Sequence, residues 1–291
     1  RRPFARSLRG VASAARLLSC PALMSSAAHL PGAYLLELVE LCGRFGIAAD
    51  VLLAEGPATV AELSDPAARV AIADCARLAE RARVLTDEPR LALFLGMQTR
   101  LSSHGFLGFA AMTAGTVREA LGLAERFALT RTEAVGVTTH VEGDVASMVV
   151  EERVPLGDLR EFALLGLLVG IWQIGRALTG TELAGTMELS FDEPAYLRGA
   201  TETPSGRMLF GRPANRLVFA ASVLDIKLVT ADPVAMQLAR AQCERELASL
   251  VSAGGFLGRV RQLVGDRVDA TQEDVAKQLG VSTRTLKRRL A

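Results

Sequence analysis

From Phe162 to Leu178 the chain is apolar on nearly every side of a helix, interrupted only by Gln173 and Arg176. A helix of that composition has no solvent face, so it folds only where other elements wrap it from several directions. It falls short of the ~20 apolar residues a spanning helix needs, so the expectation is a buried core helix and no membrane partner. Asp158 stands where a cap would, and the helix is expected to reach about Leu178. A chain of 291 residues, 50% of them hydrophobic, suffices for roughly two domains with cores of their own.

The segments available to wrap this helix change period along the chain. Leu35, Leu38, Val39, Leu41 and Cys42 give a helical repeat over 34–54, broken at Gly56-Pro57. Ser64-Asp65-Pro66 reads as the cap and first turn of a helix to about Val84, and Asp87-Glu88-Pro89 opens another to about Leu101. Thr116 caps a helix with Val117, Leu121, Ala124 and Ala128 on one side and Arg118, Glu119, Glu125 and Arg126 on the other. The period then becomes two: Val135 to Val141 and Ala146 to Val150 flank Glu142-Gly143-Asp144, a hairpin signature. Gly185 to Phe191, Arg207 to Phe210 and Leu217 to Ala220 read as further short strands. Asp232-Pro233 starts a long helix to about Val251, and Gly254-Gly255 reads as a linker. The fold class is therefore α+β: a mainly helical domain over 34–253 with a small antiparallel sheet, then an all-α domain over 254–291. Residues 1–33 read as an N-terminal extension, upstream of the native start if that start is Met24. Leu17-Leu18-Ser19-Cys20 faintly resembles a lipoprotein cleavage site, but Arg16 interrupts the apolar region such a signal requires.

The formal net charge of +1 hides an asymmetry. Residues 256–291 carry eight Lys or Arg against four acids, while residues 21–255 carry 20 basic and 28 acidic residues. A basic end on an acidic body points to nucleic acid as the partner of that end. Within it, Val275, Ala276 and Leu279 form the buried stripe of a first helix, with Ala276 small where a second helix would cross. Gly280 suits a left-handed turn, Val281 fills between helices, Ser282 caps the second helix, and Leu286 and Leu290 pack it down. Ser282, Thr283, Arg284, Thr285, Lys287, Arg288 and Arg289 are the candidate contacts to double-stranded DNA. Arg284, flanked by Thr283 and Thr285, is placed to read a base edge, and Lys287, Arg288 and Arg289 to hold phosphates. The plainer alternative is a solvated basic helix on a ligand-binding or oligomerisation module.

Catalytic chemistry is not in evidence. Cys20, Cys42, Cys75 and Cys243 lie far apart, suggesting neither a disulfide framework nor a zinc site, and a reducing cytoplasm fits best. His29, His104 and His140 have no acids or thiols at ligand spacing, and no nucleophile elbow or phosphate-binding loop occurs. Ser102, Ser103 and His104 adjoin, but a triad is a spatial arrangement, so His104 and His140 are read as hydrogen-bonded structural residues. No enzyme, cofactor or metal is expected.

A small-molecule site is expected instead beside the apolar helix. Trp172 and Arg176 share one face of it. With Phe162 on the same helix and Phe106, Phe109 and Met112 as an opposing wall, they would form an apolar cavity with one cation, suited to a hydrophobic carboxylic acid. The alternative is plain core, with Arg176 serving the helix C-terminus. The helices at 34–54 and 232–251 each offer a stripe for a homodimer.

Ser282-Thr283-Arg284-Thr285-Leu286-Lys287-Arg288-Arg289-Leu290, after Val275-Ala276 and Leu279-Gly280-Val281, resembles the first helix-turn-helix of the AraC/XylS transcription regulators. The body resembles the arabinose-binding-like N-terminal effector domain of one branch. Gly105-Phe106-Leu107-Gly108-Phe109, Thr116-Val117-Arg118-Glu119-Ala120-Leu121, Phe210 to Phe219 and Leu224 to Pro233 carry that likeness. The resemblance implies a cytoplasmic activator or repressor that senses a small-molecule effector and often dimerises. Members of the family carry a second helix-turn-helix, and this sequence stops at Ala291 within the first, so a truncated protein is expected.

Overall fold

The computed structural model describes residues 28–54, 56–198, 202–203, 206–253, 260, 263–264 and 271–290. The arginine-rich start, Leu17 to Cys20, Met24 and the linker at Gly254-Gly255 lie outside them. Residues 28–243 form one compact unit, and the described residues from 244 onward belong to a second.

The first unit opens with β1 (His29–Pro31), α1 (Gly32–Arg44), α2 (Ala49–Leu53), α3 (Val60–Leu63), β2 (Arg69–Ala71) and α4 (Ile72–Thr86). Then follow α5 (Leu91–Gln98), a 3₁₀ turn at Leu101–His104, α6 (Gly105–Thr113) and α7 (Val117–Phe127). The hairpin β3 (Val135–Glu142) and β4 (Val145–Glu152) precedes the long helix α8 (Arg160–Thr179). Strands β5 (Gly185–Glu188), β6 (Glu202–Thr203), β7 (Gly206–Leu209) and β8 (Asn215–Ala220) then lead to α9 (Pro233–Ala253). β1 and β2 pair antiparallel, and the other six form one sheet in the order β3-β4-β8-β5-β7-β6.

α8 is wrapped as its composition requires. Leu164, Leu165, Leu168, Val169 and Trp172 bury against Val137, Met148, Met187 and Leu217 of the sheet. Phe162 and Ala163 pack into a second cluster built by Leu35, Leu38, Cys75, Leu78 and Leu91 of the N-terminal helices. Each fully buried leucine contributes about 1.5–3 kcal/mol. One expectation needs correcting. By length and composition Gly157–Thr179 is long enough to cross a membrane, yet half of its most apolar window is buried within the protein. That is the position of a domain's core helix.

Other differences have local causes. The sheet is mixed and larger than read, because β5 and β7 run parallel while every other pair is antiparallel. The chain between β5 and β7 is long enough for such a crossover and buries Leu189, Phe191 and Leu197 on the way. The helix expected over 34–54 ends at Arg44. Ile47 N–H donates to Cys42 O and Gly46 N–H to Gly43 O, with Gly46 at φ 81°, so the carbonyls of the last turn are satisfied there. Ser64-Asp65-Pro66 starts no helix: Asp65 accepts from Ala67 N–H in a turn, β2 follows, and α4 begins only at Ile72. Asp158 sits in a 3₁₀ turn, and no side chain caps α8. Thr116 does cap α7, accepting from Glu119 N–H. Asp232 accepts from Val234 and Ala235 N–H at the start of α9.

Candidate functional site

A cavity of about 310 Å³ lies in the first unit. α8 supplies Ala163, Leu167, Ile171, Ile174 and Leu178, a stripe at spacings of three and four. α7 contributes Val117, Leu121, Ala124 and Ala128, the side that its sequence marks as apolar, and α6 contributes Leu107, Gly108 and Ala111. Val135, Val137 and Met148 of the hairpin close another wall. A broader depression of about 780 Å³ near β2 is lined by Glu62, Asp65, Arg69 and Asp74, an open charged surface that would bury little of a ligand.

Polar groups of the cavity gather from three distant segments: Tyr34 and Glu37 on α1, His104 at the end of the 3₁₀ turn, and Arg131 after α7. The Tyr34 hydroxyl lies 2.8 Å from His104 Nδ1, and the Arg131 guanidinium lies close to the same hydroxyl. Burial, then the Arg131 charge, push the His104 imidazole down to about 4, so the ring is neutral. Burial pushes the Tyr34 phenol up. Glu37 is 4% exposed, accepting from Ser103 Oγ at 2.5 Å and Arg100 N–H at 2.9 Å. Burial outweighs those bonds and raises its carboxyl.

Of the ligand residues proposed from the sequence, Phe162 lines this cavity. Phe106 and Phe109 are 43% and 48% exposed on the opposite side of α6, and Met112 is not in the wall. Trp172 is 2% exposed and packs beneath β5: a Cβ on Gly185 would meet its ring at 2.4 Å. Arg176 shares that face of α8, ion-paired with Glu182 and bonded to Gln173. The cation that does line the cavity is Arg131, which the sequence reading passed over. Glu37 did carry a signal, an acid inside the apolar stripe of α1. Tyr34, His104 and Arg131 carried none, because no local period links positions so far apart.

In the second unit, α10 (Gln272–Gln278) and α11 (Thr283–Leu290) pack through Val275, Ala276 and Leu286 on Val260 and Val264. Thr271 and Asp274 form a reciprocal cap on α10, legible in retrospect as Thr-x-x-Asp. Val281 N–H donates to Ala276 O and Gly280 N–H to Lys277 O, with Gly280 at φ 65°. Ser282 Oγ accepts from Thr285 N–H at 3.1 Å, and Thr285 Oγ1 lies 2.9 Å from the same hydroxyl. Arg284, Lys287 and Arg288 are exposed, whereas Thr283 and Thr285 are half-buried. The side chains of Arg289 and Leu290 lie outside the described ones.

Residues 46–228 match the family model described as the arabinose-binding domain of AraC transcription regulator, N-terminal. The ornithine utilization regulator of Pseudomonas aeruginosa is 30% identical over 271 residues, covering 90% of this chain and 78% of that protein. An HTH-type transcriptional regulator of Mycobacterium bovis is 27% identical over 267 residues, covering 87% and 76%. Transcriptional regulator CdpR from P. aeruginosa shares the fold, with a TM-score of 0.50, 22% identity, and coverage of 86% of this chain and 77% of that one. The chain belongs to the AraC family of transcription regulators and carries that family's effector-binding domain, which makes it a regulator and not an enzyme.

Proposed function

We propose that this protein is a cytoplasmic regulator that reads DNA through α11 as the second helix of a helix-turn-helix and is switched by an effector in the cavity beside α8. The observation carrying the DNA assignment is the division of α11: Leu286 is fully buried while Arg284, Lys287 and Arg288 stand in solvent behind a Ser282 cap. Arg284, one residue into the helix, is the base reader, and the later cations hold phosphates. Arg284→Ala should relax sequence preference at a cost of about 1–3 kcal/mol, whereas Lys287→Ala should weaken all sequences alike and flatten the salt dependence. Binding of operator and random fragments at several salt concentrations checks both. Equal, salt-insensitive binding by both variants would overturn the assignment.

The cavity wall argues for an apolar effector. A sugar needs polar partners around its ring, and these walls are mostly Leu, Ile, Val and Ala. Ornithine, named for the Pseudomonas relative, carries two ammonium groups. The one acid of the wall, Glu37, already accepts from Ser103 and Arg100.

We also infer a homodimer through α9, whose Val234 and Leu238 are 71% and 69% exposed on one face. Sedimentation should show a dimer at tens of micromolar that Leu238→Glu dissociates. A monomer from the unmodified chain would remove the claim.

A further inference from the structure

The head group that this cavity accepts can be read from its one cation, given the reading of the cavity as the effector site. Arg131 lines the wall, yet its polar contacts are to neutral groups, the Ser103 carbonyl at 3.3 Å and the Tyr34 hydroxyl. Its Nε is buried with no hydrogen-bond partner among the described residues. Arg131 is half-buried, and an anion that reached this Nε edge would make a charge-assisted hydrogen bond with it. Glu37 is not that anion. Its Oε1 accepts from Ser103 Oγ and the Arg100 backbone N–H, and its basic ion-pair neighbour is Arg100, whose Nε lies 3.8 Å away.

Tyr34 and His104 stand beside Arg131 in the same wall. Tyr34 Oη and His104 Nδ1 share a hydrogen bond at 2.8 Å, and Arg131 lies close to the same hydroxyl. A guanidinium fork with an unpartnered Nε suits a planar monoanion with two oxygens. A phosphate, carrying close to two charges, would leave one uncompensated in these walls. A volume of about 310 Å³ lies at the small end of ligand pockets and suits a small molecule.

We propose that the effector is a small apolar monocarboxylic acid whose carboxylate pairs with Arg131 beside Tyr34 and His104, with its hydrocarbon against the Leu167, Ile171 and Ile174 stripe of α8. The carboxylic-acid class is the one the sequence suggests, but the cation that selects it is Arg131 in place of Arg176.

Calorimetric titration of the full chain with octanoate, octanol and octylamine tests this. Octanoate should bind at least tenfold more tightly than octanol, and octylamine should bind least. Arg131→Met, which keeps an apolar stem of similar length, should weaken octanoate by about 10- to 100-fold and leave octanol unchanged, and the octanol result also shows that the variant is folded. Leu167→Trp, which fills the cavity, should abolish binding of both. If octanoate and octanol bind alike, both insensitive to Arg131→Met and both lost in Leu167→Trp, the carboxylate assignment fails and the cavity reading stands. Octanoate binding that survives Leu167→Trp, or no binding by any of the three probes, overturns the cavity reading as well.

Discussion

Replacing Gly108 by alanine is expected to lower the melting temperature by roughly 6–12 °C, the equivalent of about 3 kcal/mol in a domain of this size. Gly108 lies on the face of α6 that meets the 3₁₀ turn at Leu101–His104. A Cβ there would stand 1.8 Å from the Leu101 carbonyl oxygen, 2.8 Å from its carbon and 3.3 Å from His104 Cβ. Two of those atoms are backbone and cannot rotate away, so the helix must slide off the turn. The slide also disturbs the cavity, because Leu101, His104, Leu107 and Gly108 all line it. The control is Gly122→Ala in α7, where the added methyl meets nothing within 4 Å. Relieving a mid-helix glycine should stabilise the protein there by roughly 0.5–1 kcal/mol. Thermal melts of the two variants should move in opposite directions, and a Gly108→Ala protein that melts with the parent would contradict the packing described.

The second large effect is a pH dependence that passes through His104. Its folded value, pushed down to about 4, lies below the ordinary 6.5, so between these pH values the unfolded chain binds a proton that the native chain refuses. Stability from this group is complete above about pH 6.5 and falls as the pH drops toward 4, by about 2 kcal/mol at pH 5 and about 3 kcal/mol at pH 4. Glu37 works in the other direction. Its raised carboxyl takes up a proton more readily in the native state and gains stability as the pH falls. Tyr34 beside the ring, its phenol pushed up by burial, stays neutral across this range. The comparison must therefore be made against His104→Asn, which keeps an acceptor near the Nδ1 position and cannot charge. Denaturant unfolding at pH 7.5 and pH 5 should show the parent losing about 2 kcal/mol more than the variant. Parallel pH profiles for the two proteins would mean that the ring is not held neutral.

Much that was legible in the sequence is governed by neighbours a few residues apart, although Ser64-Asp65-Pro66 and Asp158 did not start the helices expected of them. The Thr116 cap, the hairpin at Gly143-Asp144 and the start of α9 at Asp232-Pro233 depend on local backbone chemistry, and each appears where the residues place it. The same holds for the turn at Gly280 and the cap at Ser282. On α7 the period picked out Val117, Leu121, Ala124 and Ala128, which line the cavity, but not Ala120, Leu123 and Phe127, which the helix buries.

The placement of the cavity was not legible in this way. α6 and α8 are apolar nearly all round, and each residue turns a helix by ~100°, so period alone cannot say which of their faces meets a cavity and which meets the sheet. Trp172 and Arg176 went to the β5 side, and Phe106 and Phe109 went outward. Leu167, Ile171, Gly108 and Ala111 turned to the cavity instead. The sequence determined that α8 must be wrapped, that a basic capped helix ends the described chain, and that the two parts differ in charge. Only the tertiary structure decided which cation serves the cavity, because Tyr34, His104 and Arg131 meet through the packing of α1, the 3₁₀ turn and the end of α7, contacts between segments whose separation along the chain leaves no periodic trace.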